Sequence, residues 1–287
     1  MCRKTDFLAL ISVSGANPNG DPLCGGRPRI DCDGFGMMTD VCIKRKLRDR
    51  LSDMGESILV SPPVGSGDTL SSRVAALCGL SQEEFIARAC QRWYDVRAFG
   101  QIFSFRGRRS RDTDGCTLSV RGPVSVQHAF SADPVEICEV PLTRCINGSA
   151  AGKRAADTFG SSCYVRYGLY VLKGSVNARL ARKTGFSQAD AELLKTALWR
   201  LFDNDSSAAR PEGTMRMERL YWWEHPSVDG DLPTHAVHAS VEVKLRDGVE
   251  RPTCFGDYIV SCSPPDGLHA EVLDIRESTQ PCSHCRP

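Results

Sequence analysis

The chain has 287 residues, 41% of them hydrophobic, which is enough to bury a sizeable core in one domain that carries insertions. Its 36 basic and 35 acidic residues leave a formal net charge of +1, which excludes a chain coated in positive charge for indiscriminate polyanion binding. Any basic surface is therefore local.

The N-terminal stretch "MCRKTDFLALISVSG" alternates and dissolves into Asn17 and Pro18, so it reads as a strand rather than a signal peptide. Phe7, Ala9, Ile11 and Val13 fall on one face and Leu8 and Leu10 on the other, which predicts a central strand covered on both sides. No apolar run approaches the roughly 18 residues of a membrane span, and a cytoplasmic protein is expected. The stretch from Ser14 to Leu51, "SGANPNGDPLCGGRPRIDCDGFGMMTDVCIKRKLRDRL", passes from a Gly- and Pro-rich loop into a basic helix. Thr39 or Asp40 is placed to cap that helix, whose apolar stripe is Ile43, Leu47 and Leu51. Lys44 and Arg48 flank the stripe on one side, Lys46 and Arg50 on the other. Only Asp49 is acidic inside "KRKLRDR", predicting a helix not laced with i,i+4 ion pairs, and the loop adds Arg27 and Arg29. A solvated face and a phosphate-contacting surface both fit this pattern.

Ser57 to Asp68 reads as a loop, and Ser81 with Glu84 forms a capping box ahead of a short helix built on Phe85, Ala89 and Trp93. Two strands then flank a polar turn whose arms carry Arg106, Arg108, Arg109 and Arg111, a second local cationic site. Within this region "RAFGQIFSF" matches the RRM RNA-binding signature at Arg97, Phe99, Gly100 and Ile102, but Gln101 and Ser104 replace two of its aromatics, so an ordinary buried strand is the better reading. "EICEVPLTRCI" is a strand. The small-residue stretch after it holds Lys153 and Arg154; Gly148, Gly152 and Lys153 resemble a P-loop only superficially, since Arg154 stands where a magnesium-binding hydroxyl is required. The strand "YVRYGLYVLKGSV" follows. A helix capped by Ser187 and Asp190 carries Leu194, Leu198 and Leu201, and "MRMERLYWWEH", "HAVHASVEVKL" and "FGDYIVSC" read as strands. This order predicts an α+β fold: an RRM/ferredoxin-like antiparallel sheet with helices on one face.

Catalytic motifs are absent: there is no His-Glu-x-x-His run, nucleophile elbow or dinucleotide loop. Asp21, Asp31 and Asp33 have the chemistry to hold a divalent metal, but "NGDP" and "DCDG" are better explained as tight turns. Of the 14 cysteines, Cys42, Cys78, Cys90, Cys138 and Cys145 lie among apolar neighbours and read as reduced, buried thiols. Cys282, His284 and Cys285 would make half of a zinc site with no second half, since Cys24 and Cys32 have the wrong spacing; a frayed tail is expected. No cofactor, metal or enzymatic activity is expected.

"NPNGDP", "GGRPRID", "TDVCIKRKLRD", "RAFGQIF", "VRGPVSV", "YGLYVLKG" and "KTGFSQADAELLKTALWRLFDNDSSAAR", in this order over about residues 7 to 225, resemble the repeating backbone subunit of type I CRISPR surveillance complexes (Cascade), most closely subtype I-C. The resemblance implies an RRM-like palm with inserted fingers, web and thumb, copies of which line up along one CRISPR RNA. It implies a single domain over 1–287 with insertions at about 52–96 and 142–165 and a flexible tail at 276–287. The loop from Asn17 to Gly36 and the following helix would grip the guide backbone through Asn17, Asn19, Gly20, Arg27, Arg29, Lys44, Arg45 and Arg48. Arg106, Arg108, Arg109, Lys153 and Arg154 are further candidates. The thumb would span about Leu142 to Val165, where "FGSSCYVRYGLY" departs from the more basic segment of relatives. Implied partners are the guide RNA, further copies of the chain, other Cascade subunits and target DNA through the guide, with no membrane. Such a grip must ignore sequence, and phosphate contacts do so because they position without reading bases. Two other functions compete: a metal-dependent RNA-cleaving subunit of the type III kind, with Asp31 or Asp33 as the acid, and a self-assembling structural protein without RNA.

Overall fold

The computed structural model describes residues 2–104, 117–143, 159–263 and 267–275. In chain order these form β1 (Thr5–Ala16), a small hairpin of β2 (Gly20–Asp21) and β3 (Arg27–Pro28), β4 (Phe35–Met38), α1 (Asp40–Asp53), α2 (Leu70–Val74), α3 (Gln82–Arg92) and α4 (Tyr94–Phe99). Next come β5 (Gly100–Ser104), β6 (Thr117–Arg121), β7 (Val124–Val126), β8 (Ala129–Pro134), β9 (Ile137–Thr143) and the long β10 (Phe159–Val176). The last part holds α5 (Ala178–Thr184), α6 (Gln188–Trp199), β11 (Met215–Glu224), α7 (Thr234–Ala239), β12 (Val241–Leu245), β13 (Tyr258–Cys262) and β14 (Ala270–Asp274).

The main sheet is antiparallel, in the order β14-β11-β1-β10-β8-β4, with β7 and β9 also paired to β10. β1 is central, bonded to β10 from Thr5↔Val176 to Ala16↔Val165 and to β11 from Thr5↔Glu224 to Val13↔Met215. Its alternation divides the core as the sequence predicts. Phe7, Ala9, Ile11 and Val13 join Ile43, Leu47 and Leu51 of α1 and Ala191, Leu194 and Leu198 of α6, while Leu8 and Leu10 join Val237 of α7 and Tyr258 of β13. A separate apolar cluster sits between α3 and the β5–β6 hairpin, where Phe85 and Phe103 meet edge to face at 5.0 Å.

Several elements differ from expectation. Helices do not keep to one face, because α7 and the β12–β13 hairpin cover the side opposite α1 and α6. The stretch "HAVHASVEVKL" is not one strand: Pro233 opens a helical turn carrying two alanines, and the β-branched alternation that favours a strand begins only at Val241. The RRM-like match fails at the backbone, since Arg97 and Phe99 belong to α4 and the strand starts at Gly100, whose positive φ of 79° ends the helix. Sequence pattern also gave no warning of β14, a five-residue edge strand.

Candidate nucleic-acid interface

The loop after β1 is held by its own asparagines. Asn17 donates through Nδ2 to the Gly26 carbonyl at 2.7 Å, and its backbone N–H donates to Ala209 O at 2.9 Å. The Asn19 side-chain oxygen accepts from both the backbone N–H (2.9 Å) and the hydroxyl (3.0 Å) of Thr39, the residue that caps α1 by accepting from Cys42 N–H. The loop and the first turn of α1 are thereby one unit. Its glycines serve the hairpin itself: a Cβ on Gly20 would lie 2.8 Å from Gly26 O, and Gly25 and Gly26 adopt left-handed φ of 64° and 79°. Asp21 accepts from Leu23 N–H at 3.0 Å, and Asp31 accepts from the N–H groups of Asp33 (3.0 Å) and Phe35 (2.9 Å), so these aspartates close turns.

Helix α1 corrects the expected charge pattern in two respects. Lys44 pairs with Asp40 at 3.1 Å and Arg45 with Asp49 at 2.9 Å, both i,i+4 contacts, so this face is laced with ion pairs; Asp40 lay just outside the basic run, where the pattern did not count it. Lys44 and Arg45 remain partly exposed, and surface pairs of this kind are weak enough to exchange partners. Arg48 turns inward instead. It donates to Asp95, which is 1% exposed, at 3.0 Å and lies over the Phe99 ring, while Asp95 also accepts from Leu59 and Val60 N–H. Its place among the phosphate ligands is not supported by this geometry. Nor do cations line both sides of the stripe in solvent, because Lys46 and Arg50 are buried. Lys46 contacts Asp205, and burial holds its ammonium pKa below the ordinary lysine value, with the Asp205 hydrogen bond acting in the opposite direction.

Of the loop arginines, Arg27 reaches Glu139 on β9 at 2.8 Å and Arg29 lies 3.4 Å from Asp21. Lys46, Asp205 and Arg210 join Arg29 around the Cys42 thiol, whose pKa is raised by burial. Arg210 and Asp205 were not singled out from the sequence, although both lie in the "FDNDSSAAR" stretch that carries the family resemblance. His128 is a further unanticipated neighbour: its Nδ1 accepts from Asp40 N–H at 2.9 Å, tying the start of α1 to the β8 side of the sheet. Arg106, Arg108, Arg109, Arg111, Lys153 and Arg154 lie outside the described residues, as do Cys145, Cys282, His284 and Cys285. Cys90 is buried as expected and Cys42 and Cys138 partly so, but Cys78 is exposed, because it follows a single turn of 3₁₀ helix at the surface. Among the described residues no group of three or more His, Cys, Asp or Glu side chains is placed to hold a metal, and no helix is long and apolar enough to cross a membrane.

Two solved structures described as CRISPR RNA-guided surveillance complexes are similar in fold. One, a pre-nicking complex, has a TM-score of 0.46 and 12% identity over 80% of this chain and 79% of its own; the other has 0.47 and 15% over 86% and 78%. In sequence, the chain is 31% identical over 237 residues to the CRISPR-associated protein Cas7 of Haloferax volcanii, covering 76% of this chain and 69% of that protein. The family CRISPR-associated protein Cas7 matches residues 3–263, from the strand that centres the sheet to the end of the hairpin that covers it. On that match and that identity, the chain belongs to the CRISPR-associated protein Cas7 family.

Proposed function

We propose that the chain is a guide-binding backbone subunit: it grips the phosphates of a CRISPR RNA with the Asn17–Gly36 loop and the exposed side of α1, and lines up head to tail with further copies along that RNA. In this reading it serves a type I complex of subtype I-C, its palm is of the RRM kind with inserted segments, and it presents the guide for pairing with target DNA in antiviral defence. The observation that carries the proposal is the unit made by Asn19 and Thr39, which fixes a loop bearing Arg27 and Arg29 to a helix bearing Lys44 and Arg45. Cations held on such a frame touch phosphates whatever the bases, and pairing by the guide then supplies specificity. Asp31 accepts two backbone N–H groups through its Oδ1, which fits a residue that closes a turn better than the acid of an RNA-cleaving subunit. In this reading the subunit has no nuclease activity of its own.

The test is purification of the homogeneous chain with and without a CRISPR array. RNA of uniform length is expected to copurify and to stay intact with magnesium; a protein free of nucleic acid at low salt would refute the guide-binding role, and site-specific cleavage of repeat RNA would refute the absence of catalysis.

A further inference from the structure

Among the described residues most arginines and lysines have a carboxylate partner, from Arg3 with Glu224 to Lys244 with Glu242. Arg121, Arg182 and Lys183 are exposed and have none, and with Asn177, Arg179 and Leu180 they line one open cavity of about 540 Å³. The short helix α5 builds its rim. Ala178 and Ala181 are buried, which turns Arg179, Arg182 and Lys183 outward, and the helix packs against β6, whose last residue is Arg121. Asn177 caps the helix by accepting from Leu180 N–H at 3.0 Å. Arg179 alone is ion-paired: it holds Asp229 in a fork of two hydrogen bonds, Nε to Oδ1 and Nη2 to Oδ2. A phosphate accepts the same fork. Four cations around one cavity, one of them neutralised, repel one another, and a bound anion relieves that repulsion.

Position separates this cluster from the loop given to the guide. Helix α5 follows Val176, the β10 residue opposite Thr5, whereas that loop follows Ala16, opposite Val165. Eleven strand residues lie between them, about 35 Å at the rise of a strand. Chemistry separates it from a protein-docking face: Leu180 is the single large apolar side chain of the lining, whereas protein interfaces centre on apolar and aromatic side chains and are depleted of charge there. We infer that Arg121, Arg179, Arg182 and Lys183 form a second phosphodiester-binding site, for DNA that is not paired with the guide. Pairing a target with a guide displaces the other DNA strand and leaves duplex at the flanks; the exchange is nearly balanced, so protein contacts to those backbones tip it. The identity of this ligand rests on the proposed guide-binding role.

The experiment titrates protein assembled on CRISPR RNA with fluorescein-labelled DNA that has no complementarity to the guide, single-stranded in one arm and duplex in the other, across a salt series. Arg121→Gln, Arg182→Gln and Lys183→Gln are compared with Arg251→Gln, which removes an exposed cation without a carboxylate partner from the loop between β12 and β13. Each cluster variant is expected to weaken DNA binding about tenfold and to flatten the slope of log K against log salt by roughly 0.7 on the single strand or 0.9 on the duplex. RNA occupancy and melting temperature should stay as in wild type, because all three side chains are exposed. The arm with the larger loss identifies the displaced strand or the flanking duplex as the ligand. DNA binding unchanged in all three variants, or weakened as much by Arg251→Gln, overturns the site and leaves the guide-binding role standing. Loss of guide RNA in step with DNA also overturns it, by returning these cations to the guide groove. Polyglutamate bound as tightly as DNA at equal salt overturns it too, by marking a face for acidic protein. If no RNA assembles with wild type, the guide-binding role fails, while loss of DNA binding in the RNA-free variants still upholds the cluster as a phosphodiester site.

Discussion

Arg48 and Lys44 lie one turn apart on α1, yet substitutions there should report on different things. Removing Arg48 takes a guanidinium from a nearly buried carboxylate, and Arg48→Ala should lower unfolding stability by about 1.5–3 kcal/mol in a urea melt. Asp95→Ala, which also strands the Leu59 and Val60 N–H groups, should cost more, about 3–5 kcal/mol. The double variant Lys44→Ala, Arg45→Ala should move stability by no more than about 1 kcal/mol. It should nevertheless weaken binding about equally for RNAs of unrelated sequence, with the salt slope flattened by roughly 0.7 per lost contact. His238 makes a prediction about acid. Its Nε2 meets Gly174 O at 3.1 Å, and burial depresses its pKa below the ordinary 6.5, with Lys173 and Lys4 acting in the same direction and Asp6 against. From 6.5 down to that depressed value the unfolded chain binds the extra proton, so stability falls on acidification through this window. The urea midpoint should drop accordingly in the wild type, and His238→Gln should flatten that drop.

At the scale of elements, the joint between loop and helix is the most exposed to single changes. Asn19→Ala removes the acceptor of two Thr39 donors, and should cost about 1–2 kcal/mol and speed hydrogen exchange at the Thr39 amide. Gly174→Ala tests the packing of β10 on β1, since its Cβ would strike the buried Phe7 ring; about 1–3 kcal/mol of stability should be lost in a thermal melt. What the sequence showed follows from locality. Capping boxes at Ser81 and Ser187 and the two-faced alternation of β1 are written within a few residues, and the structure forms them as read. Long-range pairing is not written locally: nothing near Arg48 points to Asp95, and nothing near Lys46 points to Asp205. The same limit hid α7, whose helical turn is too short for a periodic signal. In the candidate interface the residue types were legible and their partners were not.

For the whole molecule, a head-to-tail backbone meets its neighbours through two different surfaces, and such contacts propagate until something stops them. The length of the bound RNA should set the size of the particle, with mass by light scattering rising stepwise as the RNA is extended. Equal masses on short and long RNAs would contradict this arrangement.

The place of β1 in the sheet has a consequence for synthesis. It is made long before its partners β10 and β11, and Asp6 pairs with His225, 219 residues away. At about 5–20 residues per second, a ribosome needs roughly 10–40 s to deliver that partner. Until β10 emerges a strand that is apolar on both faces stands unpaired on the nascent chain, and until β11 emerges it is paired along one edge alone, a ready target for holding chaperones and for aggregation. Soluble yield during expression should therefore respond more to chaperone supply and temperature while this chain is being made than to the melting temperature of the finished fold.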